Sequence, residues 1–126
     1  MNSIGIGSAQ FGLNYGINSS KKISPLEIRK IFDYLHTNKK NCYIDTAPAY
    51  GNAEFLIGKN LKKKNRFRII TKAISSNSEE IDQKFIKKLN HSFLLSLKRL
   101  RQKKIRFNAE PQKSEDGKVL MTYCRT

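Results

Sequence analysis

The 126-residue chain is one domain's worth of polypeptide, and its 38% hydrophobic content excludes a disordered composition. Two cysteines far apart, Cys42 and Cys124, exclude a disulfide framework and a zinc cluster, and no apolar run reaches membrane-spanning length. The 25 Lys and Arg against 10 Asp and Glu give a net charge of +15, which reads as a solvated lysine-rich surface. A nucleic-acid surface would need base-stacking aromatics among the cations, and the chain has neither these nor a finger or RNA-binding motif.

The first residues, MNSIGIGSAQFG, carry no basic stretch followed by an apolar one, so no secretory leader is expected there and a cytoplasmic protein is. Ile4 and Ile6 alternate with glycines and lead into Gly7-Ser8-Ala9, a strand ending in small residues that a ligand can approach closely. The run fails as a dinucleotide fingerprint. Gln10 stands where a third small residue is needed, and no helix is expected to open there.

After a loop through Asn14, Gly16 and Asn18, Ser24-Pro25-Leu26-Glu27 is a capping box with proline at the first helical position. Ile28, Ile31, Phe32 and Leu35 follow at helical spacing, and the helix should stop near Asn38. His36, late in this helix, reads as structural or surface. A second strand, Cys42 to Ile44, runs into Asp45, and Tyr50 stands in the loop that follows. An acid at the carboxyl end of a buried strand reads as a site at the top of a β/α unit.

Ala53 to Lys63 reads as a short helix with Leu56, Ile57 and Leu61 inward. Phe67 to Thr71 is a third strand, ending in Lys72. Ser76 to Glu80 reads as an N-terminal cap cluster for a long helix, along which Ile81, Phe85, Leu89, Phe93, Leu97 and Leu100 recur every three to four residues. Strand then helix, three times over, argues an α/β fold with a parallel sheet. From Arg106 to Thr126 the sequence turns polar and loses its period, so an irregular tail is expected there.

The stretch Asp45-Thr46-Ala47-x-x-Tyr50-Gly51-Asn52-x-Glu54, followed by a strand ending in Lys72, resembles the aldo-keto reductase family. The resemblance covers residues 1–105 and implies the N-terminal part of a (β/α)8 TIM barrel, about three β/α units long. A closed barrel of this type uses eight strands and about 250 residues. The resemblance further implies NADP as cofactor and a small-molecule carbonyl as substrate. Tyr50, Lys72 and Asp45 would be the catalytic residues, and Gly7, Ser8, Ala9 and Asp45 would contact the cofactor; no metal is implied. Glu54 would be structural, and Ile44, Ile69 and Ile70 would face the barrel interior.

The proposed roles follow from the chemistry. Carbonyl reduction delivers a hydride to carbon and a proton to oxygen, so a positioned acid is required. A phenol with the ordinary pKa of ~10 exchanges protons slowly at neutral pH, and a nearby ammonium held by a carboxylate assists it. The family's fourth strand ends in a histidine, a part that neither His36 nor His91 can play, and the later strands that grip the cofactor have no counterpart. An oxidoreductase inactive as an isolated chain is therefore expected. The alternatives are a remnant without function and a basic binding module built on the Lys-rich helix.

Overall fold

A computed structural model describes residues 3–17, 21–38, 41–62, 67–74 and 81–108. Four strands, β1 (Ser3–Gly7), β2 (Asn41–Asp45), β3 (Phe67–Lys72) and β4 (Arg106–Asn108), form one sheet in sequence order. Every neighbouring pair is parallel, with Gly7 opposite Asp45, Asp45 opposite Ile70, and Lys72 opposite Asn108. Between them run α1 (Ala9–Gly12), α2 (Pro25–Thr37), α3 (Ala53–Asn60) and α4 (Gln83–Leu100). Strand and helix alternate as at the start of a (β/α)8 barrel.

The two longest helices, α2 and α4, start at side-chain caps. Ser24 caps α2 as a full capping box: its hydroxyl accepts from the Glu27 N–H at 3.3 Å, and its own N–H donates to the Glu27 carboxylate at 2.9 Å. Ile28, Phe32 and Leu35 of this helix are buried as one stripe, with Ile31 partly so. His36 is structural: its ring packs edge-on to Phe67, and its Nε2 lies 3.0 Å from Asn60 O and 3.2 Å from Lys62 N. It thus ties the end of α2 to the end of α3.

All the helices pack on one face of the sheet. Cys42, Ile44, Phe67 and Ile69 on the strands share a core with Ile28, Phe32, Leu35, Ala53, Leu56, Ile57, Leu61 and Leu100. Burial also holds the Cys42 thiol pKa above its ordinary value. The other face carries Gly5, Tyr43, Asp45, Arg68, Ile70 and Lys72, none of them fully buried.

This parity corrects the expectation for Ile44 and Ile69. Successive strand residues point to opposite faces, so they cannot share the open face with Asp45 and Lys72. Both lie under the helices, and of the three isoleucines only Ile70 belongs to the open face.

Three further expectations change. A short helix, α1, does open after Gly7-Ser8, because the Leu13 N–H closes a turn onto Ala9 O. The cap of α4 is Asp82, whose carboxylate accepts from the Phe85 N–H at 2.7 Å, so the helix begins at Gln83. The cluster at 76–80 itself lies outside the described residues. Lastly, the segment from Arg106, expected to be irregular, begins as β4 paired to β3. The rest of that segment, 109–126, with Cys124, lies outside the described residues.

The cations of α4 and its exit, Lys84, Lys87, Lys88, Lys98, Arg99, Arg101, Lys103 and Lys104, are all exposed. Its apolar stripe is fully covered only at the carboxyl end, at Leu100, while Phe85, Leu89, Phe93 and Leu97 are half-buried and Ile81 precedes the helix. Among the described residues no helix is long and apolar enough to cross a membrane.

Candidate active site

The carboxyl ends of β1, β2 and β3 lie side by side, and the sequence places its chemistry there. Asp45 ends β2, directly across from Gly7 at the end of β1. The Asp45 carbonyl accepts from the Ser8 N–H at 3.0 Å, and the Thr46 N–H donates to Ile70 O at 2.9 Å. These bonds extend the sheet pairing one residue past the strands, so the loop after β2 leaves in a fixed direction.

That loop turns tightly. The Tyr50 N–H donates to Ala47 O, and the Tyr50 carbonyl accepts from the Ala53 N–H, each at 3.0 Å. Gly51 adopts φ 56°, the left-handed region where a side chain is disfavoured. The last residue of α1 presses against the same turn. A Cβ on Gly12 would stand 1.6 Å from the Tyr50 carbonyl oxygen, so only glycine allows the two backbones to meet. Tyr50 is therefore held from its amide, its carbonyl and its flank.

The ring so placed meets Lys72. The lysine Nζ donates to the Tyr50 hydroxyl oxygen at 3.2 Å and lies 5.6 Å from the ring centroid. A side chain in the loop after β2 and one at the end of β3 thus meet across the top of the sheet. Asp45 pairs in register with Ile70, which puts it two residues short of Lys72 on the neighbouring strand. All three predicted residues stand at one sheet edge.

Beside them is a cleft of ≈ 300 Å³ lined by Gly7, Ser8, Ala9, Gln10, Tyr15, Asp45 and Tyr50. Five of these seven are candidates from the sequence. Gln10 and Tyr15 are not among them and lie in and after α1; the Gln10 amide donates to Tyr15 O at 2.6 Å and holds the loop over the cleft. No signal in the sequence announces that contact, because it depends on where a four-residue helix turns the chain. A Cβ on Gly7 would meet nothing within 4 Å, so the backbone is open to a ligand there. The Ser8 hydroxyl is buried with no hydrogen-bond partner among the described residues. Among the described residues no three His, Cys, Asp or Glu side chains gather as a metal would require.

A second group lies just under this site. Glu54 is 1% exposed, and its Oε1 accepts from the Thr71 hydroxyl at 2.7 Å. Its Oε2 faces the Arg99 guanidinium at 3.5 Å. Sequence reading had assigned Glu54 a structural place without finding either partner.

A parallel sheet with helices on one face, and a Tyr–Lys pair and an acid at the strand carboxyl ends, is the arrangement that opens a (β/α)8 barrel. The sequence profile of the aldo/keto reductase family matches residues 3–106, and the chain belongs to that family. Two solved structures from Pseudomonas aeruginosa, each assigned as an aldo-keto reductase, resemble it in fold. One is 26% identical with a TM-score of 0.63, over 87% of this chain and 44% of that one. The other is 24% identical with a TM-score of 0.62, over 87% of this chain and 42% of that one. The chain thus spans less than half the length of these structures. No curated protein matches it.

Proposed function

We propose that this chain carries the proton-transfer corner of an NADP-dependent carbonyl reductase and is inactive by itself. The observation that carries the reading is the 3.2 Å contact between Lys72 Nζ and the Tyr50 hydroxyl at the strand carboxyl ends. Tyr50 is the proton donor to the carbonyl oxygen of a small aldehyde or ketone. Lys72, as an ammonium, supports the negative charge left on the phenolic oxygen. Asp45, at the end of the adjoining strand, supplies the opposite charge that keeps the lysine in place.

The nicotinamide, when bound, supplies the hydride to the carbonyl carbon. The residues fit that ring end of the cofactor: Gly7 leaves its backbone bare, and the buried Ser8 hydroxyl lacks a partner among the described residues. Gly7, Ser8, Ala9 and Asp45 would hold it. Among the described residues that line the cleft, none is a Lys or Arg that would hold the phosphates.

The test is a chimera joining residues 1–105 to the part of either Pseudomonas aeruginosa structure from its fourth strand onward. It is expected to reduce 4-nitrobenzaldehyde with NADPH, and Tyr50→Phe is expected to cut turnover at least ~100-fold, as loss of a general acid does. A folded chimera whose turnover ignores Tyr50→Phe would overturn the reading.

A further inference from the structure

Tyr50 and Lys72 belong to different elements, and their 3.2 Å contact is one exposed-side link between two backbones. On the opposite side of the sheet a second link joins the same two segments. Glu54 follows Ala53, whose N–H donates to the Tyr50 carbonyl, and the Glu54 Oε1 accepts from the hydroxyl of Thr71, the residue before Lys72. The path closes on itself: Tyr50, Ala53, Glu54, Thr71, Lys72 and back to Tyr50. Because adjacent strand residues point to opposite faces, a bond made by Thr71 under the helices fixes the backbone from which Lys72 projects above. Glu54 and Thr71 are at 1% and 0% exposure, so water does not compete for either partner.

The geometry points to Glu54, Thr71 and Arg99 as positioning residues that set the Tyr50–Lys72 distance. This inference rests on the reading of Tyr50 and Lys72 as the proton-transfer pair. Arg99 belongs to the device because it meets the second carboxylate oxygen at 3.5 Å. Among the described residues the second oxygen accepts no hydrogen bond, so the nearby Arg99 guanidinium from α4 offsets the buried charge by attraction alone. The helix is held close enough to do so by Gly58 of α3, where a Cβ would lie 2.2 Å from Arg99 O. The spacing of the catalytic pair is thereby coupled to the docking of a helix on the other face of the sheet.

A role in core stability alone makes a different prediction from a role in positioning. In the folded chain, isotope-edited nuclear Overhauser contacts between the Tyr50 ring and the Lys72 side chain report their separation without any need for turnover. Glu54→Ala and Thr71→Val each break the buried link and are expected to lose that cross-peak while the strand amides stay protected. Thr71→Ser keeps the hydroxyl and is expected to retain it. Should Glu54→Ala fail to fold, Thr71→Val carries the same test with a side chain of nearly the same shape. An undiminished cross-peak in folded Glu54→Ala or Thr71→Val, or its loss in Thr71→Ser, would overturn the inference. In the chimera, Thr71→Val is expected to lower kcat about tenfold or more with KM little changed, since the link touches no substrate. Failure of the functional reading would show as turnover indifferent to Tyr50→Phe, whereas the cross-peak decides the positioning role by itself.

Discussion

Gly12 decides more about this site than its place at the end of a four-residue helix suggests. A Cβ on it would run into the turn that carries Tyr50, and a Cβ on Gly51 would stand 2.7 Å from the Gly12 carbonyl oxygen. Gly12→Ala therefore forces two backbones apart. It is expected to lower stability by about 2–3 kcal/mol, the upper range for overpacking, since backbone yields less than a flexible side chain. Urea unfolding would show this as a lower midpoint at unchanged slope. A midpoint within error of the parent would mean that α1 moves aside freely. Sequence alone could not identify this glycine, because its partner lies 38 residues further on and the contact is backbone to backbone. Asp45, Tyr50 and Lys72 were legible because each carries chemistry at a strand end or in the loop just after one.

At the scale of elements, α2 was the most readable because its cap is written into four consecutive residues. The Ser24 hydroxyl donates to the Glu27 carboxylate at 2.7 Å, and this bond, then the Ser24 N–H, holds the Glu27 pKa below 4.5 against a small opposing desolvation. The folded state thus binds its proton less readily than the unfolded chain does. That contribution to stability is full above pH 4.5 and is lost as pH falls through the lower folded value. Ser24→Ala is expected to destabilise the fold by about 1 kcal/mol, as lost caps do. It should also return Glu27 toward 4.5 in a carboxyl-carbon NMR titration. An unchanged Glu27 titration would mean that the capping bonds are absent in solution. The cap of α4 was misplaced for the converse reason: Ser76 to Asp82 offers several capping residues in a row, and only the backbone selects Asp82. Likewise the apolar pattern of β2 and β3 marked strands but not which face each isoleucine takes. Parity with Asp45 and Lys72 settles it, because the site residues must stand on the open side.

For the whole molecule, what the sheet leaves uncovered governs its chemistry. Among the described residues its two outer strands, β1 and β4, each have one neighbour, so each presents a backbone edge without a described partner. A closed barrel has eight strands and fills its interior with side chains from all of them. Among the described residues Tyr43, Arg68 and Ile70 face no opposite wall, and Arg68 donates to the Tyr43 hydroxyl at 3.2 Å. A cofactor would touch little beyond the cleft of ≈ 300 Å³, the low end for a ligand site and too small to enclose a dinucleotide. Each ~1.4 kcal/mol of lost contact weakens binding tenfold, so a cofactor held by this cleft alone is expected to bind weakly. Substrate orientation by a histidine is not expected from the described residues either. His36 is engaged at the far ends of α2 and α3, and His91 is exposed on α4, so neither reaches the Tyr50 hydroxyl. Misplacing a reacting group by about 1 Å can alone cost ~100-fold in rate. The purified chain is therefore expected to show no NADPH oxidation with 4-nitrobenzaldehyde above the rate of its Tyr50→Phe variant. Turnover present in the parent and absent in Tyr50→Phe would refute this, and would mean that the open sheet assembles a working site without the rest of a barrel.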